Sequence, residues 1–319
     1  MSYPIQNKSE YLRQLYELER EHPSKNPRNH PLTPFQRLKR KLGSEGLKGV
    51  FLWFLKQAHN LKQDVLTSKN DYPMIAVDIG DTFLRGDMYF SHNRIAVYTA
   101  LFSKYDTIKE PQIHPDNIDY FIYTDQSVPE KSLWKKLDHS SVIPAECIGD
   151  PVLCNRWIKM HPHLLFPEYD YSIYIDSSIT VLSDLTPMIK ALDHYPVATF
   201  KHKSRKCVYE EIEACRKLNK ATDSALNEHL SIIRARGIPK DWGLAEAPVI
   251  SRKHNDALCK KIMDKWWECF FEGPSRRDQI ALIDCLWQLG IEPSQLTTLG
   301  ESVSRCCLFN ISQHDGDKT

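Results

Sequence analysis

From Tyr72 onward, short runs of β-branched and aromatic residues alternate with longer stretches that repeat apolar residues at helical spacing. The strand candidates are Met74–Ile79 (MIAVDI), Ile95–Leu101 (IAVYTAL), Asp119–Thr124 (DYFIYT), Tyr171–Ile175 (YSIYI), Val197–Phe200 and Pro248–Ser251, each bounded by turn residues. Helices are expected near Asn155–Leu165, Leu185–Asp193, Cys207–Leu218, Ala225–Gly237, Asp256–Phe271 and Arg276–Leu289. Alternation of this kind predicts an α/β fold, a mostly parallel sheet with helices on both faces. Open sheets of that class bind ligands at the carboxyl ends of their strands. The residues that follow each strand are therefore where chemistry is expected.

Three strand ends finish in small, polar or acidic residues. Ile95–Leu101 carries Tyr98, Thr99 and Ala100, Asp119–Thr124 runs into Asp125, and Tyr171–Ile175 runs into Asp176-Ser177-Ser178. Carboxylates and hydroxyls converging in one crevice suit a hydrated divalent cation that carries phosphate oxygens. A sugar nucleotide calls for such a cation, because departure of its diphosphate builds negative charge in the transition state. Taken singly, each strand end has a plainer reading, since Asp and Ser are common turn formers.

Asn155–Ile179, NRWIKMHPHLLFPEYDYSIYIDSSI, resembles the signature of a glycosyltransferase-like family found in bacterial capsule loci and related to plant mucilage proteins. Further segments fit that family in order: IAVYTALFSKYDTIKEP at Ile95–Pro111, DYFIYTD at Asp119–Asp125, FKHKSRKCVYEE at Phe200–Glu211, GLAEAPVISRKHN at Gly243–Asn255 and SRRDQIALIDCLWQLG at Ser275–Gly290. The resemblance covers roughly Ile95 to Gly290 and, as ordered motifs with fixed local spacing, is specific. It implies a GT-A (Rossmann-like) fold, a nucleotide-sugar donor and a divalent metal, Mn2+ or Mg2+. GT-A enzymes usually place Asp-x-Asp after the fourth strand. Here Asp176 stands with neutral Ser178, a weaker ligand. Some GT-A enzymes add a late metal-binding His, and His314 in the tail Ile311–Thr319 has the residue type without the spacing. A polar chain end is the competing account of that tail.

Arg156 and Lys159 lie three apart on an expected helix and so share a face. The resemblance places that helix just before the Asp176 strand, where the two cations could contact donor phosphate or pair with Asp176; the plainer reading is a surface face. Lys201, His202 and Arg205 form a basic loop after a strand, where they could grip diphosphate or pair with the glutamates that follow. Transfer with inversion needs a carboxylate to take the acceptor's proton. Asp278 at the start of a late helix is one candidate and Glu246 the other. Asp278 also fits a capping box with Ser275 as N-cap. Trp242, in a loop before Gly243, is the candidate for stacking against an acceptor sugar.

Residues 1–70 are expected to form a helical appendix with a Pro-rich linker, and 71–319 the catalytic domain. Within the appendix, Phe35–Lys62 is basic and amphipathic. It is read as a helix packed on the catalytic domain, with peripheral contact to anionic lipid as the alternative. A formal charge of +1 gives no basic field for a nucleic-acid partner. Nine cysteines without zinc spacing suggest reduced thiols. The start MSYPIQNKSE lacks the apolar core of a secretion signal, and no apolar run reaches the roughly 18 residues of a membrane span. Together these predict a cytoplasmic protein, at most peripheral to the inner membrane face. The expected function is transfer of a sugar, UDP-linked in the donor, to a hydroxyl of a glycan or glycolipid in polysaccharide biosynthesis. The alternatives are a metal-dependent hydrolase using the same acidic crevice and a non-catalytic glycan-binding module.

Overall fold

A computed structural model of the chain describes residues 93–103 and 106–312. The appendix with Phe35–Lys62, the Met74–Ile79 strand and His314 lie outside the described residues.

In chain order the main elements are β1 (Ile95–Leu101), β2 (Ile118–Thr124), β3 (Trp134–Leu137), α1 (Pro151–Met160), β4 (Tyr171–Ile175), β5 (Ile179–Val181), β6 (Val197–Lys201), α2 (Val208–Lys217), α3 (Asp223–Ala235), β7 (Ala245–Arg252), α4 (Ala257–Glu272), α5 (Asp278–Leu289) and β8 (Phe309–Ile311). Six strands form one sheet in the order β3-β2-β1-β4-β7-β6. β1 pairs in parallel with β2 and β4, and β3 extends the parallel run from β2. β7 pairs antiparallel with both β4 and β6, so it alone in this sheet is reversed. This is the expected α/β fold with a mostly parallel sheet.

The sequence of β1 explains its central place. All seven residues are buried, and a strand covered on both faces can use an unbroken apolar run. Its side chains alternate between two cores. Ala96, Tyr98 and Ala100 join the α-helical side with Ile158, Ile212, Trp266 and Ile283. Ile95 and Val97 join the other side, covered by the 3-10 helix Thr186–Leu192 and by the small antiparallel sheet of β5 and β8. The segment Leu185–Asp193 winds into that tighter helix with Pro187 near its start.

Helix boundaries follow local capping chemistry. α1 begins at Pro151, earlier than expected, because the Asp150 side chain accepts from the backbone N–H of Val152 (2.9 Å) and Leu153 (3.1 Å). α5 begins later than expected, at Asp278, with Arg277 as N-cap. The Ser275–Asp278 capping box does not form, since Ser275 Oγ bonds His229 Nδ1 at 2.7 Å instead. α5 stops at Gly290, whose φ of 67° is the left-handed conformation that glycine adopts readily. All nine cysteines are free and seven are buried. Among the described residues no helix is long and apolar enough to cross a membrane.

Candidate active site

The carboxyl ends of β1, β4 and β6 meet the amino end of the reversed β7 at one edge of the sheet. With α1 and the start of α5 they line a cleft of about 580 Å3. Six basic side chains face it, Arg156, Lys159, Arg205, Lys220, Arg276 and Arg277, against three carboxylates, Asp176, Glu246 and Asp278. A chain with a net charge of only +1 thus gathers a cationic excess in one place.

Lys159 is the inner anchor of that charge. It sits at the buried end of α1, with 1% of its surface exposed. Its Nζ donates to Asp278 Oδ2 at 2.8 Å and lies 3.7 Å from Asp176 Oδ1. The rings of Tyr174 and Trp266 flank the ammonium at 5.1 and 5.7 Å from their centroids. Arg156, one turn earlier, brings Nε to 3.0 Å from the same Asp278 oxygen. Burial alone would raise the Asp278 pKa, but Arg156, Lys159 and Arg277 outweigh burial and hold the carboxyl far below the usual range. Asp278 therefore stays ionised and proton-free.

Tyr98 supports this anchor from below instead of facing the cleft. Its ring is fully buried; its hydroxyl donates to the Lys159 carbonyl at 3.1 Å and accepts from Arg252 Nη2 at 2.5 Å. Arg252, also fully buried, donates from Nη1 to the same carbonyl at 2.8 Å. The Tyr98→Phe variant should lose about 1–3 kcal/mol of stability by urea denaturation, because a buried guanidinium donor loses its acceptor.

Glu246 occupies a different environment. Burial raises its pKa, only partly offset by the hydrogen bond from Ser302 Oγ (3.4 Å) and the charge of Arg205. The Arg205 guanidinium is itself paired with Glu211 at 2.5 Å. His202 Nδ1 accepts from the backbone N–H of Ser204 (3.1 Å) and Arg205 (2.9 Å), so the ring proton belongs on Nε2, which lies 4.0 Å from Glu246 Oε1. Burial, followed by the charge of Arg205, lowers the His202 pKa to about 4, so the imidazole is neutral at pH 7.

Of the residues singled out from sequence, Ala100, Arg156, Lys159, Asp176, His202, Arg205, Glu246 and Asp278 line the cleft together. Tyr98, Thr99, Asp125, Ser178, Lys201 and Trp242 do not. Asp125 is exposed, and its Oδ2 accepts from Ser103 N at 2.9 Å. It thereby props a cleft-lining residue in the left-handed region (φ 60°). Trp242 packs edge-on against Trp287, 5.1 Å between centroids, so its ring serves packing. Arg276, Arg277 and Lys220 line the cleft without having been singled out from sequence. The two arginines stand directly before Asp278 in SRRDQ, which was a usable signal; Lys220 had none.

The described residues around Asp176 make a poor divalent-metal site. Hard dications take six or more oxygen ligands, of which a protein can supply as few as one or two carboxylates while substrate phosphates and water supply the rest. Here one carboxylate stands with an ammonium 3.7 Å away. Ser178 is buried beside it, with its carbonyl accepting from Ser312 N and Oγ. Ligand atoms of Cys207, Glu210 and Asp241 come within 4.8 Å of one another, but none of these residues lines the cleft.

The family model described as TOD1/MUCI70, glycosyltransferase-like domain, matches residues 76–296. The chain belongs to this family. Every cleft-lining residue, from Ala100 to Gln279, falls inside the matched TOD1/MUCI70 span. No curated protein matches the chain in sequence. Among solved structures it is similar to the apo WbbM bifunctional glycosyltransferase, at 11% identity and TM-score 0.40, over 60% of this chain and 37% of that one. It is also similar to apo mouse xyloside xylosyltransferase 1, at 10% identity and TM-score 0.35, over 66% of this chain and 84% of that one. The chain thus spans little more than a third of WbbM, and likenesses this distant carry no argument about substrates.

Proposed function

We propose that the chain transfers a sugar from a nucleotide-sugar donor, UDP-linked, to a hydroxyl of a glycan or glycolipid acceptor in polysaccharide biosynthesis. Residues 71–319 would be the catalytic domain. The observation that carries this reading is one cleft holding both a cationic wall and a single carboxylate whose pKa burial has raised. The two features suit the two halves of the reaction. Arg156, Lys159 and Arg205 face the donor phosphates, where fixed cations stabilise the charge that grows as the diphosphate leaves. Glu246 is the base. Its carboxylate takes the acceptor hydroxyl proton while that oxygen bonds to the anomeric carbon, and the electron pair of the breaking bond passes to the phosphate oxygen. Asp278 serves as counter-ion to Lys159 and Arg156, because a carboxyl held so far below its usual range is a weak proton acceptor.

Incubating the protein with UDP-, GDP- and CMP-linked sugars, with and without glycan acceptors, tests the reading. Acceptor-stimulated release of nucleotide is expected with a UDP sugar. Release that no acceptor stimulates would favour hydrolysis, and no donor turnover at all would leave only a binding role. Proton NMR of the first-formed product is expected to show inversion, and retention would remove Glu246 as the base.

A further inference from the structure

We propose that the cleft neutralises the leaving diphosphate with its own side chains, Lys159, Arg156, Arg277 and Lys220, and binds nucleoside diphosphate without a divalent metal. The proposal rests on the nucleotide-sugar reading above and deepens it.

The first ground is the occupancy of the carboxylates. Asp278 is held by Lys159 and Arg156 at 2.8 and 3.0 Å, and Asp176 has the same ammonium at 3.7 Å. A dication placed on Asp176 would lie against that ammonium and be repelled by it. Lys159 cannot swing away, because its side chain is 98% buried between Asp278 and the Tyr174 and Trp266 rings. The position that a metal would take at the end of β4 is thus already charged positively by the protein.

The second ground is the balance of charge. Six basic side chains and three carboxylates line the cleft, and Glu211 and Asp150 pair with Arg205 and Arg276 from outside it, so the cations still uncommitted are fewer than the lining suggests. Arg277 and Lys220 form no ion pair with any described residue. Arg277 is half-buried and Lys220 exposed, so both can turn their charge towards an anion bound in the cleft. A diphosphate suits them. Its oxygens accept paired N–H donors from a planar guanidinium and single ones from an ammonium, and both kinds of donor are present.

The experiment is calorimetric titration of UDP and GDP into the full chain, once in EDTA and once in excess Mn2+. For UDP we expect Kd values in the two conditions within about twofold of each other. Arg277→Gln and Lys220→Gln should each weaken UDP about tenfold or more in EDTA; the exposed Lys220 is removed with Tm unchanged, and the Arg277 variant still leaves Asp278 its closer partners Lys159 and Arg156. Lys159→Met strands the buried Asp278 carboxylate and is expected to destabilise the fold, so the other two variants decide. UDP binding that requires Mn2+ overturns the proposal and leaves the transfer reading intact. Wild-type UDP affinity in both variants overturns the assignment of these cations. Binding of neither nucleotide in either condition overturns the transfer reading together with this proposal.

Discussion

Glu246→Gln should lower kcat for sugar transfer by about a hundredfold or more, while UDP affinity stays within about twofold. The amide keeps the size of the side chain and its contact with Ser302 but cannot accept the acceptor's proton. The sign of the pH dependence follows from the raised Glu246 pKa. Only the ionised form acts as base, so kcat of the wild-type protein should fall as pH drops through the Glu246 pKa, which burial raises from its ordinary value. The Gln variant should lack that acid limb. Near-normal turnover in the variant, or the same acid limb, would remove Glu246 from the mechanism. His202, with its pKa lowered to about 4, stays uncharged at pH 7.

The largest loss of stability is expected from Asp278→Ala, about 3–5 kcal/mol in urea denaturation, because it leaves the Lys159 ammonium buried beside Arg156 without its closest counter-charge. The double variant Asp278→Leu with Lys159→Met should recover part of that loss, since an apolar pair carries no desolvation penalty. Equal losses in the single and double variants would show that packing, and not charge, sets the cost. The pH dependence has a definite sign. The folded-state pKa of Asp278 is depressed, so its contribution is complete at neutral pH. It begins to be lost below about 3.9, the value in an unfolded chain, and declines as pH falls towards the folded value. The Ala variant should show a shallower acid decline than the wild type.

Much of the fold was legible before any coordinates. Ile95–Leu101 and Tyr171–Ile175 read as strands because unbroken apolar runs of that length, bounded by turn residues, have few other uses, and both form with those bounds. β3, β5 and β8 were not legible. Each has only three or four residues, and β3 carries Lys135 and Lys136 outward, so no pattern stands above its surroundings. The start of α1 could have been read correctly from Asp150-Pro151, an N-cap followed by the first-turn proline that favours helix entry. The start of α5 misled, because Ser275 spends its hydroxyl on His229, a residue 46 positions away.

The candidate site divides along the same line. Strand ends pointed to the edge of the sheet where the cleft lies, because the backbone leaves each parallel strand there and local composition marks where it does so. The charge state of each carboxylate was not readable. Asp278 looks in sequence like a helix-start carboxylate open to several roles. Its protonation is governed by Lys159, 119 positions earlier in the chain, and by Arg156 beside it. Glu246 sits in an unremarkable GLAEAPVI segment, and its raised pKa comes from burial that strand packing creates. Strand and helix identity depend on residues within a few positions, so patterning along the chain suffices to specify them. A pKa depends on whatever charge and water lie within a few ångströms, and only the folded chain brings α1, β7 and α5 to that distance.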